Sequence, residues 1–231
     1  MTGAVDPDER LPGSIAAATD AALAAYEMGG NAVDAAVAAG LTLGVVDGHN
    51  SGIGGGCFFV IRAADGTVTA IDGREMAPAA AHRDMYVIDG RLDSEASKTG
   101  ALAPGVPGYL KACDVALRKH GKLTLADLLS PAADLAEKGF PIDEVYERKL
   151  AAVAEKMRAF PASAGIFLKP DGVPLKKGDI LVQKDLAATY RAIARNGLEW
   201  FYGGDFAERA GAWMKANGGI MTRADFAAYR A

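Results

Sequence analysis

Long hydrophobic runs, excess positive charge and cysteine are all scarce in this chain of 231 residues, and each scarcity excludes a class of protein. The longest apolar run, residues 35–46, is interrupted by Gly and Thr and is too short to span a bilayer. The formal net charge is -4 and no basic patch stands out, so nucleic-acid binding has no electrostatic support. Two cysteines exclude a disulfide scaffold but leave a single disulfide open. We therefore expect a globular protein with no membrane and no nucleic-acid partner.

Leader and metal-site signals are also missing. Residues 1–10 are acidic and polar and lack the apolar segment of a signal peptide, which predicts a cytoplasmic chain as written. The three histidines have no metal-ligand spacing, so we expect no metal and no cofactor. His82 and His120 are expected at the surface. His49 lies beside a glycine-rich loop and remains a candidate for touching substrate or supporting a site.

The stretch from Gly52 to Pro78 is the one around which the chain is organised. Residues 57–61 form a short apolar run with aromatic and branched side chains, typical of a buried strand. Residues 67–71 are β-branched at most positions. Asp65-Gly66 lies between them and is a strong turn signal, because glycine tolerates the positive φ of a tight turn. The stretch therefore predicts a β-hairpin.

Both ends of this hairpin point to chemistry. The successive glycines at 54–56 have no Cβ and give packing room, so that another backbone or a ligand can approach closely. Arg74, just past the second strand, can present its planar fork to a carboxylate. The alternative is an ordinary ion pair with a surface carboxylate, which the residue types alone favour. Glu75 is expected to orient Arg74 or to pair with it locally.

The chain changes character along its length. We read residues 1–14 as a flexible arm, residues 15–100 as a part with a sheet and buried helices, and residues 101–231 as a mainly helical part. In the middle part, Asn31 can cap a nearly all-apolar helix that runs to about Leu43 and should be buried against a sheet. We expect Asp34 on this helix to act as a local cap or ion-pair partner.

Amphipathic patterns predict the helices of the last part. Ser130-Pro131 is expected to start one helix, and Thr222 with Asp225 to cap a last helix that continues to Ala231. The predicted core faces are Leu110/Cys113/Leu117, Tyr146/Leu150/Val153/Met157, Leu186/Tyr190/Ile193 and Phe206/Ala210/Trp213. These faces are assigned no chemistry.

An ordered set of motifs resembles the large-subunit signatures of the γ-glutamyltranspeptidase (glutathione hydrolase) family. Each motif alone is weak, whereas the ordered set is specific and covers nearly everything after about residue 15. The central one is Gly73-Arg74-Glu75-Met76-Ala77-Pro78. The others are residues 29–38, 51–56, 104–108, 138–141, 175–179, 201–204 and 218–225. One departure is Ile15 to Asp20, where the family has a Ser-His-Pro-like segment.

The resemblance implies a fold and a reaction. The fold class is α/β (α+β), as part of the four-layer αββα sandwich of an N-terminal-nucleophile hydrolase with an attached helical region. Family members are precursors that cleave themselves into a large and a small subunit. The new N-terminal Thr of the small subunit attacks the γ-glutamyl amide of glutathione or a relative, and water or an amino acid then takes the γ-glutamyl group.

By the same resemblance, this chain is the N-terminal part of a large subunit. It has no Thr-Thr-His-like segment and no Pro-Ser-Ser-Gly-Gly segment, so we expect no catalytic residue in it and no activity from it alone. Its expected partners are the C-terminal remainder or small subunit, which carries the Thr nucleophile, and a small γ-glutamyl substrate. Sheet surface left bare without that partner is expected to favour a homo-oligomer. Arg74 matches the family's arginine that holds the α-carboxylate of the γ-glutamyl group.

Other interpretations stay open at this point. The chain is alternatively part of an amide acylase relative, because the nucleophile side of the pocket is not in view. It is also compatible with a non-catalytic domain that binds γ-glutamyl compounds or acidic peptides through Arg74. A removed leader peptide would make the location periplasmic or secreted. The acceptor and the balance between hydrolysis and transfer are not specified by these residues.

Overall fold

The computed structural model describes residues 14–231 and shows a mixed α+β chain, as expected. The arm expected over residues 1–14 lies outside the described residues, apart from Ser14, with which the first helix begins. The helices are α1 (Ser14–Glu27), α2 (Ala32–Val46), α3 (Tyr109–His120), α4 (Leu125–Lys138), α5 (Glu144–Met157), α6 (Pro161–Phe167), α7 (Lys184–Asn196), α8 (Leu198–Tyr202), α9 (Asp205–Ala216) and α10 (Arg223–Ala228). The strands are β1 (Cys57–Arg62), β2 (Val68–Gly73), β3 (Val87–Ile88), β4 (Arg91–Leu92), β5 (Phe140–Pro141) and β6 (Ile180–Leu181).

The described chain forms two compact units, and each is built from two separate stretches. The first unit holds the described residues up to Gly52 together with Gly121–Arg191. The second unit holds Ile53–His120 and Ala192–Ala231. These units are therefore not the segments 15–100 and 101–231 that differ in secondary-structure content.

Helix α2 is the core element of the first unit. Asn31 caps it as predicted, because the Asn31 side chain accepts a hydrogen bond from the Val33 N–H at 2.8 Å and Asp34 Oδ2 accepts one from the Asn31 N–H at 2.7 Å. The helix continues through Gly44 to Val46, past the expected end at Leu43, because Gly44, Val45 and Val46 are buried and held by packing. It packs chiefly on helices α1 and α4, and within residues 14–231 its main partners are these helices and not the expected sheet. Its small side chains let neighbouring helices approach closely.

Asp34 has a wider structural role than a local cap. Its side chain is fully buried, and the carboxylate also accepts hydrogen bonds from the N–H groups of Lys122 and Leu123 at 2.9–3.0 Å. A buried carboxylate is stable only when its oxygens are hydrogen-bonded, and these backbone donors supply the bonds. Asp34 thereby joins the start of α2 to the segment that leads into α4.

The predicted hairpin lies in the second unit. Strands β1 and β2 pair antiparallel, with Cys57 opposite Gly73 at the open end. Gly66 has φ +90°, and the Ala63 N–H donates to the Thr67 carbonyl at 2.8 Å, so the turn forms where Asp65-Gly66 predicted it. Helix α3 packs on both strands. The hairpin is therefore a support of defined register for the residues that follow Gly73.

One face of the hairpin is apolar and exposed. Phe58, Val60 and Val68 are exposed, whereas Ile71 on the opposite face is buried. Among the described residues the sheet has two strands, and two strands alone are marginally stable in water. This face, Phe58, Val60 and Val68, is called the outer hairpin face below.

Several helix predictions for the last part were wrong in detail. Pro131 lies inside α4 and does not start a helix, because the buried face of α4 continues on both sides of it. In α9 the buried side chains are Ala207 and Met214, and Trp213 is exposed. In α5, Ala154 is buried where Val153 was expected. At these positions of both helices the buried residue lies one place further along the chain than predicted. One residue corresponds to about 100° of rotation around the helix axis.

The structure also differs from the expectations at the last helix, and it decides the state of the two cysteines. The last helix does not continue to Ala231 but ends at Ala228, and Tyr229 is extended. Cys57 and Cys113 are both free thiols, so the open alternative of a disulfide is excluded. None of the helices in residues 14–231 has the length and apolar character that crossing a membrane requires.

Replacing Asp34 tests its role in the first unit. In the complete protein, Asp34→Ala should lower the free energy of unfolding by about 2–4 kcal/mol, because buried N–H groups lose their acceptor. Thermal or denaturant unfolding measures the change. The matched control is Asp20→Ala on the exposed side of α1, which should stay within about 0.5 kcal/mol of the parent protein. Equal stability of the two variants would contradict the role.

Candidate functional site

The candidate site is the segment of residues 72–76 at the end of strand β2. The Arg74 N–H donates to Asp72 Oδ1 at 2.9 Å, which tightens the turn by which the chain leaves the strand. The Arg74 carbonyl accepts a hydrogen bond from the Tyr229 hydroxyl at 2.7 Å. Two residues later, Met76 and Val106 exchange backbone hydrogen bonds of 2.8 and 3.2 Å. The backbone that carries Arg74 is therefore held on both sides.

A close backbone approach at Gly56 holds the same segment from below. A Cβ at position 56 would overlap the Gly73 carbonyl and lie 2.9 Å from the Arg74 Cα and 3.0 Å from the Glu75 nitrogen. Real Cβ atoms do not come this close to backbone atoms, so only glycine fits here. The packing room expected at 54–56 is present at Gly56. At Gly54 a Cβ would meet nothing within 4 Å, and the prediction was wrong there.

The Arg74 side chain points away from this fixed backbone and is largely exposed. Its Nη1 lies 3.1 Å from Glu75 Oε2, with the arginine side chain 62% exposed and the glutamate side chain 28% exposed. This confirms the predicted local pair. The pair is exposed on its arginine side, so the remaining N–H groups of the guanidinium can meet a second carboxylate. Glu75 Oε2 is itself buried, and its contact with Arg74 is an ion pair without the geometry of a hydrogen bond.

Cys57 lies near the same segment, and its thiol is held in the neutral form. Burial, and secondarily the negative charge of Glu75, raise the pKa of the Cys57 thiol to about 11. Burial raises the pKa of the Cys113 thiol as well. Since the thiolate is the reactive form of cysteine, both side chains are unreactive at neutral pH.

His49 belongs to the other compact unit. Its Nε2 lies 3.1 Å from Asp47 Oδ1, and its ring packs edge to face on Tyr146 with ring centroids 5.2 Å apart. Both ring nitrogens are buried and make no hydrogen bond of good geometry with the described residues. These contacts are those of a packed structural histidine. His82 is exposed as expected, whereas His120 is half-buried and not a surface residue.

Metal-ligating side chains do not converge in the described part of the chain. Across residues 14–231, no three His, Cys, Asp or Glu side chains are close enough together to hold a metal ion. Two cavities, of about 450 and 340 Å³, are lined by other residues than Arg74, namely by residues of the 158–172 and 208–223 stretches. The chemistry that this segment offers is therefore the binding of an anion by an exposed, well-supported guanidinium.

Tyr229 is the residue of the site that sequence reasoning missed. It is separated from Arg74 by 155 positions, and no spacing rule connects an aromatic residue after one helix with the carbonyl at a distant strand end. The sequence pattern predicted a helix through position 229, so it placed Tyr229 on a helix face and did not connect it with Arg74.

Comparison with known proteins bears on this site. The sequence model described as Gamma-glutamyltranspeptidase matches residues 18–231. A glutathione hydrolase proenzyme of Escherichia coli (strain K12) is 44% identical over 218 residues, which is 94% of this chain and 37% of that protein. An acylase ACY 1 proenzyme of Pseudomonas sp. (strain V22) is 39% identical over 212 residues, which is 87% of this chain and 37% of that protein. The crystal structure of Helicobacter pylori gamma-glutamyltranspeptidase superposes with a TM-score of 0.91 at 38% identity, covering 98% of this chain and 65% of that one.

The α+β fold and its solved structural neighbours place the chain in the N-terminal-nucleophile hydrolase class. The chain belongs to the gamma-glutamyltranspeptidase family. It spans about a third of the length of the curated relatives it matches, and those from Escherichia coli and Pseudomonas named above are proenzymes.

Replacing Gly56 tests the close approach beneath Arg74. In the complete protein, Gly56→Ala should lower the free energy of unfolding by about 1–3 kcal/mol, because the added methyl group must displace backbone atoms. Gly54→Ala is the matched control, since it adds the same methyl group where no atom lies within 4 Å. Thermal unfolding of both variants measures the difference. If Gly56→Ala is as stable as Gly54→Ala, the approach does not constrain the segment.

Proposed function

We propose that this chain is the N-terminal part of the large subunit of a γ-glutamyltransferase or glutathione hydrolase, and that Arg74 binds the α-carboxylate of the γ-glutamyl substrate. The complete enzyme cleaves the γ-glutamyl amide of glutathione or a related compound and passes the γ-glutamyl group to water or an amino acid. The observation that carries the proposal is the exposed guanidinium of Arg74 on a backbone held by Asp72, Gly56 and Tyr229.

The physical argument rests on the shape and charge of Arg74. A substrate with a free carboxylate is best held by a planar, permanently charged donor on a rigid element. The weak pair with Glu75 keeps the guanidinium oriented while leaving its remaining N–H groups accessible. Glu75 therefore orients Arg74 in this proposal. His49 has less support, because it is already packed against Tyr146 and close to Asp47.

The chemical step needs residues from another part of the protein. Both thiols of this chain are held neutral, and we assign no catalytic residue to it. In the proposal, a Thr at the new N-terminus of a small subunit attacks the amide carbonyl of the substrate, forming an acyl-enzyme that water or an amino acid resolves. This chain supplies binding and orientation, and no metal or cofactor is required.

The proposed partner is the C-terminal remainder of the protein. The outer hairpin face is apolar and exposed, with Phe58 65%, Val60 76% and Val68 61% accessible. Such a face on a two-stranded sheet is stabilised when another part of the protein packs against it and shields it from water. We infer that the small-subunit portion packs here, and that the chain in isolation associates with itself through the same face.

A second candidate is an acylase that acts on another amide. It is favoured by the similarity to the acylase ACY 1 proenzyme, which is 39% identical. Both candidates use the same fold, and they differ in the substrate group that Arg74 faces. An acylase would show no requirement for an α-carboxylate on its substrate. Kinetics with paired substrates distinguish the two.

Replacing Arg74 tests the proposed substrate role. In the complete protein, Arg74→Ala should lower kcat/KM for a γ-glutamyl anilide by about 30- to 5,000-fold, corresponding to about 2–5 kcal/mol of lost carboxylate binding. The loss should be nearly absent with 4-aminobutanoyl anilide, which keeps the amine but lacks the α-carboxylate. Initial-rate kinetics with both substrates measure the effect.

Two controls accompany this experiment. Arg74→Lys keeps the charge but not the fork, and should recover only part of the lost activity. Arg83→Ala removes an arginine whose side chain is 95% exposed and should leave both substrates unaffected. Unchanged activity of Arg74→Ala on the γ-glutamyl anilide would reject the proposal. Equal losses on both substrates would favour the acylase or a structural role for Arg74.

The outer hairpin face gives a separate prediction about the partner. Val60→Lys in the complete protein should leave most of the chain as uncleaved precursor, because a charge would be buried where the remainder must pack. Denaturing gel electrophoresis of the purified protein measures the fraction cleaved. Val153→Lys on helix α5, where the valine is 39% exposed, is the control. Normal cleavage of Val60→Lys would show that this face is not covered by the remainder.

A further inference from the structure

Tyr229 makes one long-range contact with the segment that carries Arg74. Its hydroxyl donates to the Arg74 carbonyl at 2.7 Å, and the tyrosine is only 2% exposed. A hydrogen bond shielded from water is stronger and better directed than one at the surface. The bond therefore fixes the peptide between Arg74 and Glu75, which directly follows the Cα that carries the Arg74 side chain.

The surroundings of Tyr229 leave its hydroxyl one position. A Cβ on Gly108 would overlap both the Tyr229 hydroxyl oxygen and the Gly73 carbonyl oxygen, so a glycine here lets the tyrosine and the strand end approach each other. The Tyr202 ring lies alongside the Tyr229 ring, with centroids 6.1 Å apart and planes 24° apart. The Tyr202 hydroxyl donates to the Pro107 carbonyl at 3.0 Å and holds the neighbouring segment. These contacts hold the Tyr229 side chain in one orientation, in which its hydroxyl faces the Arg74 carbonyl.

The hydroxyl must carry its proton to make this bond, because a carbonyl oxygen can only accept. Burial, and secondarily the negative charge of Asp72, raise the pKa of the Tyr229 hydroxyl above its ordinary value. The phenol is therefore protonated throughout the physiological range, and Tyr229 acts here as a donor. It has no role as a general base or nucleophile in this position.

We propose that Tyr229 is a positioning residue for substrate binding, and that its hydrogen bond to the Arg74 carbonyl sets the direction in which the guanidinium meets the substrate carboxylate. This inference rests on the proposed function, in which Arg74 binds that carboxylate. Tyr229 acts through Arg74 and makes no substrate contact. Its loss changes how well the arginine is aimed and leaves the charge of the arginine in place.

Tyr229→Phe in the complete protein tests this role, since it keeps the ring and removes only the hydroxyl. The KM for a γ-glutamyl anilide should rise about 3- to 10-fold, with kcat changed by less than about two-fold. With 4-aminobutanoyl anilide, which lacks the α-carboxylate, the variant should match the parent enzyme. A merely structural role would change both substrates alike, so equal changes would overturn the proposal.

Tyr190→Phe is the matched control, because the Tyr190 hydroxyl also donates to a buried backbone carbonyl, that of Leu41, at 3.1 Å. It should leave KM unchanged for both substrates. A double-mutant cycle adds the decisive comparison: in an Arg74→Ala background, Tyr229→Phe should cause no further loss. A full additional loss there, or a Tyr229→Phe enzyme that matches Tyr190→Phe, would overturn the inference.

Gly108→Ala gives a supporting test, since its methyl group would crowd the Tyr229 hydroxyl and the Gly73 carbonyl next to Arg74 while the tyrosine remains. It should raise KM selectively for the substrate with an α-carboxylate. The outcomes separate the two proposals. If Arg74→Ala is fully active, the proposed function fails and the role of Tyr229 fails with it. If Arg74→Ala loses activity but Tyr229→Phe and Gly108→Ala do not raise KM selectively, only the role of Tyr229 fails.

Discussion

The close contact between Gly56 and the backbone from Gly73 to Glu75 is the constraint on which the candidate site depends. No side chain fits between these segments. The residue before strand β1 and the segment after strand β2 therefore pack backbone against backbone. The hydrogen bonds of Asp72 and Tyr229 then fix the Arg74 peptide on both sides. The arginine is oriented by its backbone and not by burial of its own side chain. It can therefore be well placed and still exposed to a ligand.

Two side chains of opposite charge, Arg74 and Glu75, lie together in this segment. Glu75 is close enough to guide the guanidinium, but the pair is too exposed to hold it strongly. The same carboxylate, together with burial, keeps the neighbouring Cys57 thiol protonated. Under the proposed function, the cation that recognises substrate and the nucleophile that attacks it come from different parts of the precursor. The site is then completed only when those parts are packed together, which links assembly to activity.

Local signals in the sequence predicted the hairpin, the cap at Asn31 and the Arg74–Glu75 pair, because each depends on residues within a few positions of one another. Predictions that needed tertiary contacts were less reliable. The partner of α2, the buried faces of α5 and α9 and the end of α10 are decided by packing with distant elements. Tyr229 belongs to this second group, since nothing near it in sequence indicates the Arg74 carbonyl. The substrate role of Arg74 came from family resemblance and remains a prediction.

The interleaving of the two compact units has a consequence for biosynthesis. The first unit begins near the N-terminus and resumes only at Gly121, after the first stretch of the second unit has been made. The ribosome therefore releases helix α2 long before Lys122 and Leu123, the donors that satisfy the buried Asp34 carboxylate, have been translated. At about 5–20 residues per second, this delay lasts several seconds. During that time the apolar surface of α2 has no α4 to pack on, and water takes the place of the two backbone donors of Asp34.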